Sequence, residues 1–166
     1  MYEKKLPNLE IENAKLFYRN FAGRGGEYND EGQRNFCVVI EDPEQAQQMT
    51  NEGWNVKISK HTDPDEKPTY YIPVAVDFSN TDRFPVSIYL YTRRRRKLLD
   101  ESEVGQLDSA EFANVDLLIK PSRWEKRDRN GVNRGIKAYL KEMHATLEES
   151  RFAEKYASYE YPEEDI

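Results

Sequence analysis

The chain has 166 residues, 37% of them hydrophobic and 34% charged, with a formal net charge of -6 at pH 7 and a mean hydropathy of -0.95. That length suits one domain with a tail rather than two, and no stretch reaches membrane-spanning length or resembles a signal core. The single cysteine, Cys37, rules out an internal disulfide and, with the composition, fits a soluble intracellular protein in a reducing compartment.

Alternation of apolar and polar residues recurs along the chain while helical periodicity is scarce, so the expected class is mainly β. In "LEIENAKLFYRNF" the apolar phase runs Leu9, Ile11, then shifts to Ala14, Leu16, Tyr18. Such a shift predicts a β-bulge near Asn13 that bends one long strand, as barrel closure requires. Lys15, Phe17, Arg19 and Phe21 then share the opposite, outward face. "AGRGGEYNDEGQR" reads as a long mobile loop, and "NFCVVIE" as a strand with Cys37 as a small core residue. Asp42, Pro43 and Gly53 are the start and stop signals of a short helix.

"WNVKISK" returns to alternation, with Trp54, Val56 and Ile58 facing the core. In "TYYIPVAVDF" the inward set is Ile72, Val74, Val76 and Phe78, and Pro73 points to an edge strand or a bulge. In "FPVSIYLYTR" Val86, Ile88 and Leu90 face inward, which sends Tyr89, Tyr91 and Arg93 outward. "LDESEVGQLDSAEF" reads as irregular helical turns and "NVDLLIKP" as a strand. Asn130-Gly131 marks the tip of a hairpin between Trp124 and Leu140. "GIKAYLKEMHATL" completes the sheet, a short amphipathic helix follows in "EESRFAEKYA", and "SYEYPEEDI" is too polar to fold. The expected domain is thus residues 1–157, followed by a flexible acidic tail over 158–166.

Charge is unevenly spread. Residues 148–166 carry a net charge of -5 and the first 147 residues only -1. Against this, "RRRRK" (Arg93, Arg94, Arg95, Arg96 and Lys97) carries +5, and "RWEKRDRNGVNR" from Arg123 to Arg134 carries +3. An acidic segment on a tether can occupy a basic groove until a polyanion displaces it. It can equally serve only solubility, and both readings stand.

Little supports catalysis. His61 and His144 lack metal-ligand spacing, "GRGG" lacks the lysine and hydroxyl residue of a phosphate-binding loop, and no Ser, His and Asp set can be singled out. No metal or cofactor is expected. Aromatics alternating with cations on the outer face of two strands, joined by an Arg/Trp hairpin, instead suit single-stranded nucleic acid, whose bases stack on exposed rings while cations follow the phosphates. A duplex reader would need a basic recognition helix, and none is evident.

"NAKLFYRNFAG", "GQRNFCVVIED", "GWNVK", "NVDLLIKPSRWE", "GIKAYLKEMHATLEE" and "FAEKYA", in this order, resemble a group of bacteriophage-encoded single-stranded DNA-binding proteins with an OB-type barrel. The resemblance covers nearly the whole chain to Tyr156. It implies binding of single-stranded DNA during phage replication or recombination, in the cytoplasm of the infected host, and supplies no contact residues. "YPEEDI" is similar in kind to the acidic tips that recruit replication partners, although it ends in one isoleucine without the usual proline-phenylalanine pair. The helix after the second strand also departs from the common OB order, where it follows the third.

The resulting expectation is a single OB-like β-barrel, non-enzymatic, that binds single-stranded DNA without strong sequence preference. Stacking falls to Phe17, Phe21, Tyr89, Tyr91 and Trp124. Phosphate neutralisation falls to Arg19, Arg24, Arg93, Arg94, Arg95, Arg96, Arg127, Arg129 and Arg134. Glu163, Glu164, Asp165 and Ile166 are candidates for a protein partner. The rival reading is a viral protein-interaction or assembly module, with a nuclease a distant third.

Overall fold

The structure, a computed structural model, describes residues 5–27, 29–59, 65, 67–79 and 85–149. His61, the expected helix after Glu149 and the acidic tail with Glu163, Glu164, Asp165 and Ile166 lie outside these residues.

Among the described residues nine strands, one α-helix and one 3-10 turn follow one another as β1 (Leu9–Ile11), β2 (Leu16–Asn20), β3 (Arg34–Ile40), α1 (Pro43–Glu52), β4 (Lys57–Ser59), β5 (Thr69–Val76), β6 (Ser87–Tyr91), β7 (Arg96–Leu99), the turn Val104–Asp108, β8 (Phe112–Asp128) and β9 (Gly131–Leu147). The sheet runs β1-β8-β9-β5-β3-β2, with β4 on β5 and the β6–β7 hairpin on β9. Its two ends, β1 and β2, are successive pieces of one kinked segment, so the hydrogen-bonded path bends back on itself without closing into a ring. This is an OB-like β-barrel; α1 spans the residues the sequence predicts, but it follows the third strand, β3, rather than the second, because the first expected strand is split into β1 and β2.

The kink lies at Asn13, whose φ of 49° is left-handed, a region asparagine tolerates better than most residues. Its N–H donates to Asp116 Oδ1 at 3.0 Å. Beyond it the chain leaves β8 for β3, so the expected bulge in one long strand is a break between two. The bulge itself lies further on. Phe17 pairs with Cys37 and Asn20 with Asn35, so β2 spends one residue more than β3 over the same span, and Tyr18 within it has φ 51°. The extra residue reverses the alternation: Tyr18 points outward and Phe21 inward.

The core is built from the inward phases of β3 (Phe36, Val38, Ile40), β5 (Ile72, Val74, Val76), β6 (Ile88, Leu90), β8 (Val115, Leu117, Ile119) and β9 (Ile136, Ala138, Leu140, Met143, Ala145). Trp54 is buried as predicted, whereas Ile58, expected beside it, is exposed on the edge strand β4. Pro73 sits in a central strand. The missing N–H is tolerated because β4 pairs with β5 only as far as Tyr71 and β9 begins pairing at Val74.

Helix α1 is capped as its sequence suggests, with the Asp42 side chain accepting from the Glu44 N–H and Gly53 closing the end at φ 109°. The Gly53 carbonyl then accepts the Ile136 N–H at 2.9 Å, which ties the helix to β9. The glycine-rich loop after β2 is a pinned hairpin. Gly32 N–H donates to Gly23 O at 2.7 Å, and the Asn29 amide donates to the carbonyls of Arg24, Asp30 and Gln33.

Candidate nucleic-acid interface

Cross-strand register defines one continuous outer face. Asn20, Asn35, Ala75, Tyr139 and Lys120 form a row across β2, β3, β5, β9 and β8, beside a second row of Phe17, Cys37 and Pro73. Tyr71 pairs with Lys57 of β4, Ser122 with Lys137, and Trp124 with Gly135. Rings and cations therefore share the same side of the barrel. At one end Phe17 meets Tyr18 and Tyr71 edge-on, each with ring centroids 4.7 Å apart. In the middle the Lys137 ammonium lies 5.1 Å from the Tyr139 ring centroid.

At the other end β8 and β9 run on past the barrel as an exposed arm whose turn includes Asn130 and Gly131, as the sequence predicts. Trp124, 46% exposed, lies at its root. The indole rests across Gly135 so closely that a Cβ there would fall 2.6 to 2.8 Å from three of its atoms. One side of the indole is thus held against backbone while part of the ring remains open to solvent. Arg134 pairs with Glu125 at 3.2 Å. Trp124, Arg134, Lys137 and Tyr139 wall a cleft of about 890 Å³ whose floor includes Asn35, Pro73 and Ala75. Cys37 lies on the same face. Burial pushes its thiol above the ordinary range, and the Lys57 ammonium draws it part of the way back.

A second group lies further along β9. From Gly135 to His144 the strand advances roughly 30 Å, at about 3.3 Å per residue. There Tyr89 stacks on His144 with centroids 5.1 Å apart and planes at 6°, and the Arg96 guanidinium lies 5.3 Å from the Tyr89 ring centroid. Tyr91 Oη shares a 2.7 Å hydrogen bond with His144 Nδ1, and Glu142 Oε1 lies 2.5 Å from Nε2. The four arginines form the connection of the β6–β7 hairpin and the start of β7, with Thr92 N–H donating to Arg95 O at 2.9 Å. The arginine run is therefore a tight turn at the far end of the barrel from the arm.

Two expected contacts are corrected. Phe21 is fully buried and stacks on Phe36 with centroids 5.2 Å apart, because the bulge at Tyr18 turns it into the core. Arg19 follows the same shift. Its Nη1 donates to the carbonyls of Leu107 and Ala110 at 2.8 and 2.6 Å, and its guanidinium lies over Phe112, so it braces the turn before β8. Arg24 stays exposed while pairing with Asp108 at 3.2 Å. Arg127 and Arg129 are exposed on the arm. Tyr71, Tyr139 and Lys137 escaped the sequence reading although the signal was present, since they alternate with the inward residues Ile72, Ala138 and Leu140.

Among the described residues no group of three His, Cys, Asp or Glu side chains could hold a metal ion, and no helix is long and apolar enough to cross a membrane.

The family described as "Putative phage ssDNA-binding domain" matches residues 1–166. The chain belongs to this family. Its fold is shared with the single-stranded DNA-binding protein of bacteriophage Enc34. The C-terminally truncated form is 14% identical over 90% of this chain and 98% of that one, with a TM-score of 0.50. The form in complex with ssDNA is 15% identical over 87% and 89%, with a TM-score of 0.52. No curated protein matches the chain.

Proposed function

We propose that this phage ssDNA-binding domain binds single-stranded DNA without strong sequence preference, and acts without catalysis in phage DNA replication or recombination. The observation that carries this reading is the outer face on which Phe17, Tyr71, Tyr139 and Trp124 alternate with Lys57, Lys120 and Lys137. Rings at intervals accept bases of any identity, because every base has a π-face, and the cations between them follow the phosphates.

Arg24, Arg127, Arg129 and Arg134 extend the positive border at the glycine-rich hairpin and along the arm. Tyr89, Tyr91 and Arg93 to Arg96 form a second station for a strand long enough to reach it. Tyr89 must exchange its present partners for a base, since His144 from β9 and Arg96 from β7 flank it. In this reading the acidic residues Glu163, Glu164 and Asp165, with Ile166, face a replication or recombination partner.

The test is a fluorescence titration with oligo-dT across a salt series, against duplex of equal length. Trp54 is buried and Trp124 exposed, so the quenching is expected to come mainly from Trp124 and to disappear in Trp124→Ala. Affinity should fall linearly on a log-log salt plot, with a slope near -0.7 per phosphate neutralised, and duplex should bind much more weakly. No response to either nucleic acid at low salt would overturn the proposal and leave a protein-interaction module in its place.

A further inference from the structure

Tyr18 occupies a conformation that its side chain does not favour. It is the extra residue of the β2 bulge, at φ 51°, where a G1-type bulge ordinarily carries glycine. Strain of this kind persists when the surrounding structure holds it, and it concentrates where a side chain must be aimed. The ring gains little burial in return: at 71% it is the most exposed of the large hydrophobic side chains among the described residues. Edge-on contact with Phe17 at 4.7 Å, and with Tyr71 at 6.3 Å, holds it upright at the border of the aromatic face.

From this geometry we infer that Tyr18 is a base-stacking residue, the outermost ring of the single-strand path, held out by a bulge whose strain serves binding rather than folding. The inference rests on the single-strand reading above and extends it to the sheet edge opposite the arm. β2 is the last strand of the sheet, so a strand crossing from Trp124 over Tyr139 and Tyr71 leaves the protein at Tyr18. The occupant is a nucleobase rather than an apolar peptide, because the ring continues the row that Lys57 and Lys137 accompany.

Tyr18→Gly separates the two roles that a tyrosine here could have. Glycine relieves the left-handed backbone and removes the ring, so a stacking residue predicts a melting midpoint within about 3 °C of wild type or above it, with affinity for oligo-dT about five- to a hundredfold weaker. Tyr18→Phe keeps the ring and should bind as wild type does. Unchanged affinity in Tyr18→Gly would overturn the inference. So would a lower midpoint accompanying the affinity loss, which would make Tyr18 a structural part. If wild type itself ignored oligo-dT, the failure would belong to the proposed function instead.

Discussion

Gly135 decides how Trp124 can be used. A lone indole on an exposed arm samples several rotamers and loses that freedom when a base stacks on it, a cost of order 1 kcal/mol. Here the ring already lies on the Gly135 backbone, where any Cβ would stand within 2.6 Å of it. Gly135→Ala should therefore lift the indole without touching any nucleic-acid contact of its own. The expected result is a folded protein whose oligo-dT affinity drops about five- to a hundredfold, near that of Trp124→Ala, with altered tryptophan emission. Wild-type affinity in Gly135→Ala would mean that the seat of the ring is incidental. Gly135 also shows what sequence can miss. Trp124 stands out as a candidate by its type and neighbours, but the glycine that seats it lies eleven residues on and is located only through the β8–β9 register.

At the scale of elements, the turn Val104–Asp108 holds the end of β2 through one carboxylate. Asp108 Oδ1 accepts the Phe21 N–H at 2.6 Å, and Oδ2 accepts the Ala22 N–H and an Arg24 N–H at 3.2 Å each. The Asp108 side chain is only 7% exposed, and removing it strands the N–H of the buried Phe21, while the Ala22 N–H and Arg24 can turn to water. Asp108→Ala should cost about 1–3 kcal/mol of stability, read as a lower urea midpoint, with part recovered in Asp108→Asn. A change within 0.5 kcal/mol, the range of an ordinary surface substitution, would show that the clasp is dispensable. No pattern announces this clasp, because a single aspartate before a strand has many ordinary uses. The elements that were legible carry dense local signals: the apolar runs of β3 and β5, the Asp42, Pro43 and Gly53 signals of α1, and the Asn130-Gly131 tip. The bulge was not, since alternation reads the same through a left-handed tyrosine as through an extended one. That one displaced register accounts for the misplacing of Tyr18, Arg19 and Phe21 together.

The whole molecule places its charges at opposite ends of β9. The arm and cleft lie at the Gly135 end. The arginine hairpin lies at the other, where Tyr91 pairs with Thr146, roughly 36 Å away at about 3.3 Å per residue. The chain leaves β9 beside that hairpin: Glu148 N–H donates to Glu111 O at 2.9 Å, and the Glu149 carboxylate accepts the Arg93 N–H at 2.5 Å. A segment of net charge -5 is thus tethered next to a run of +5. The flexible acidic tail that the sequence predicts would compete there for the cations a DNA strand uses, and such competition is screened by salt. Deleting Ser158 to Ile166 removes four acidic residues and no basic one. Competition of this kind predicts that the truncated protein binds oligo-dT as tightly as the full chain or more so, with an advantage of about two- to tenfold at low ionic strength that fades once the Debye length shrinks toward 3 Å. The site at Trp124 lies too far from the tether's root to be the first part blocked, so short oligonucleotides should show less advantage than long ones that reach the hairpin. Weaker binding after truncation would contradict the competition directly and would make the acidic segment part of the binding surface.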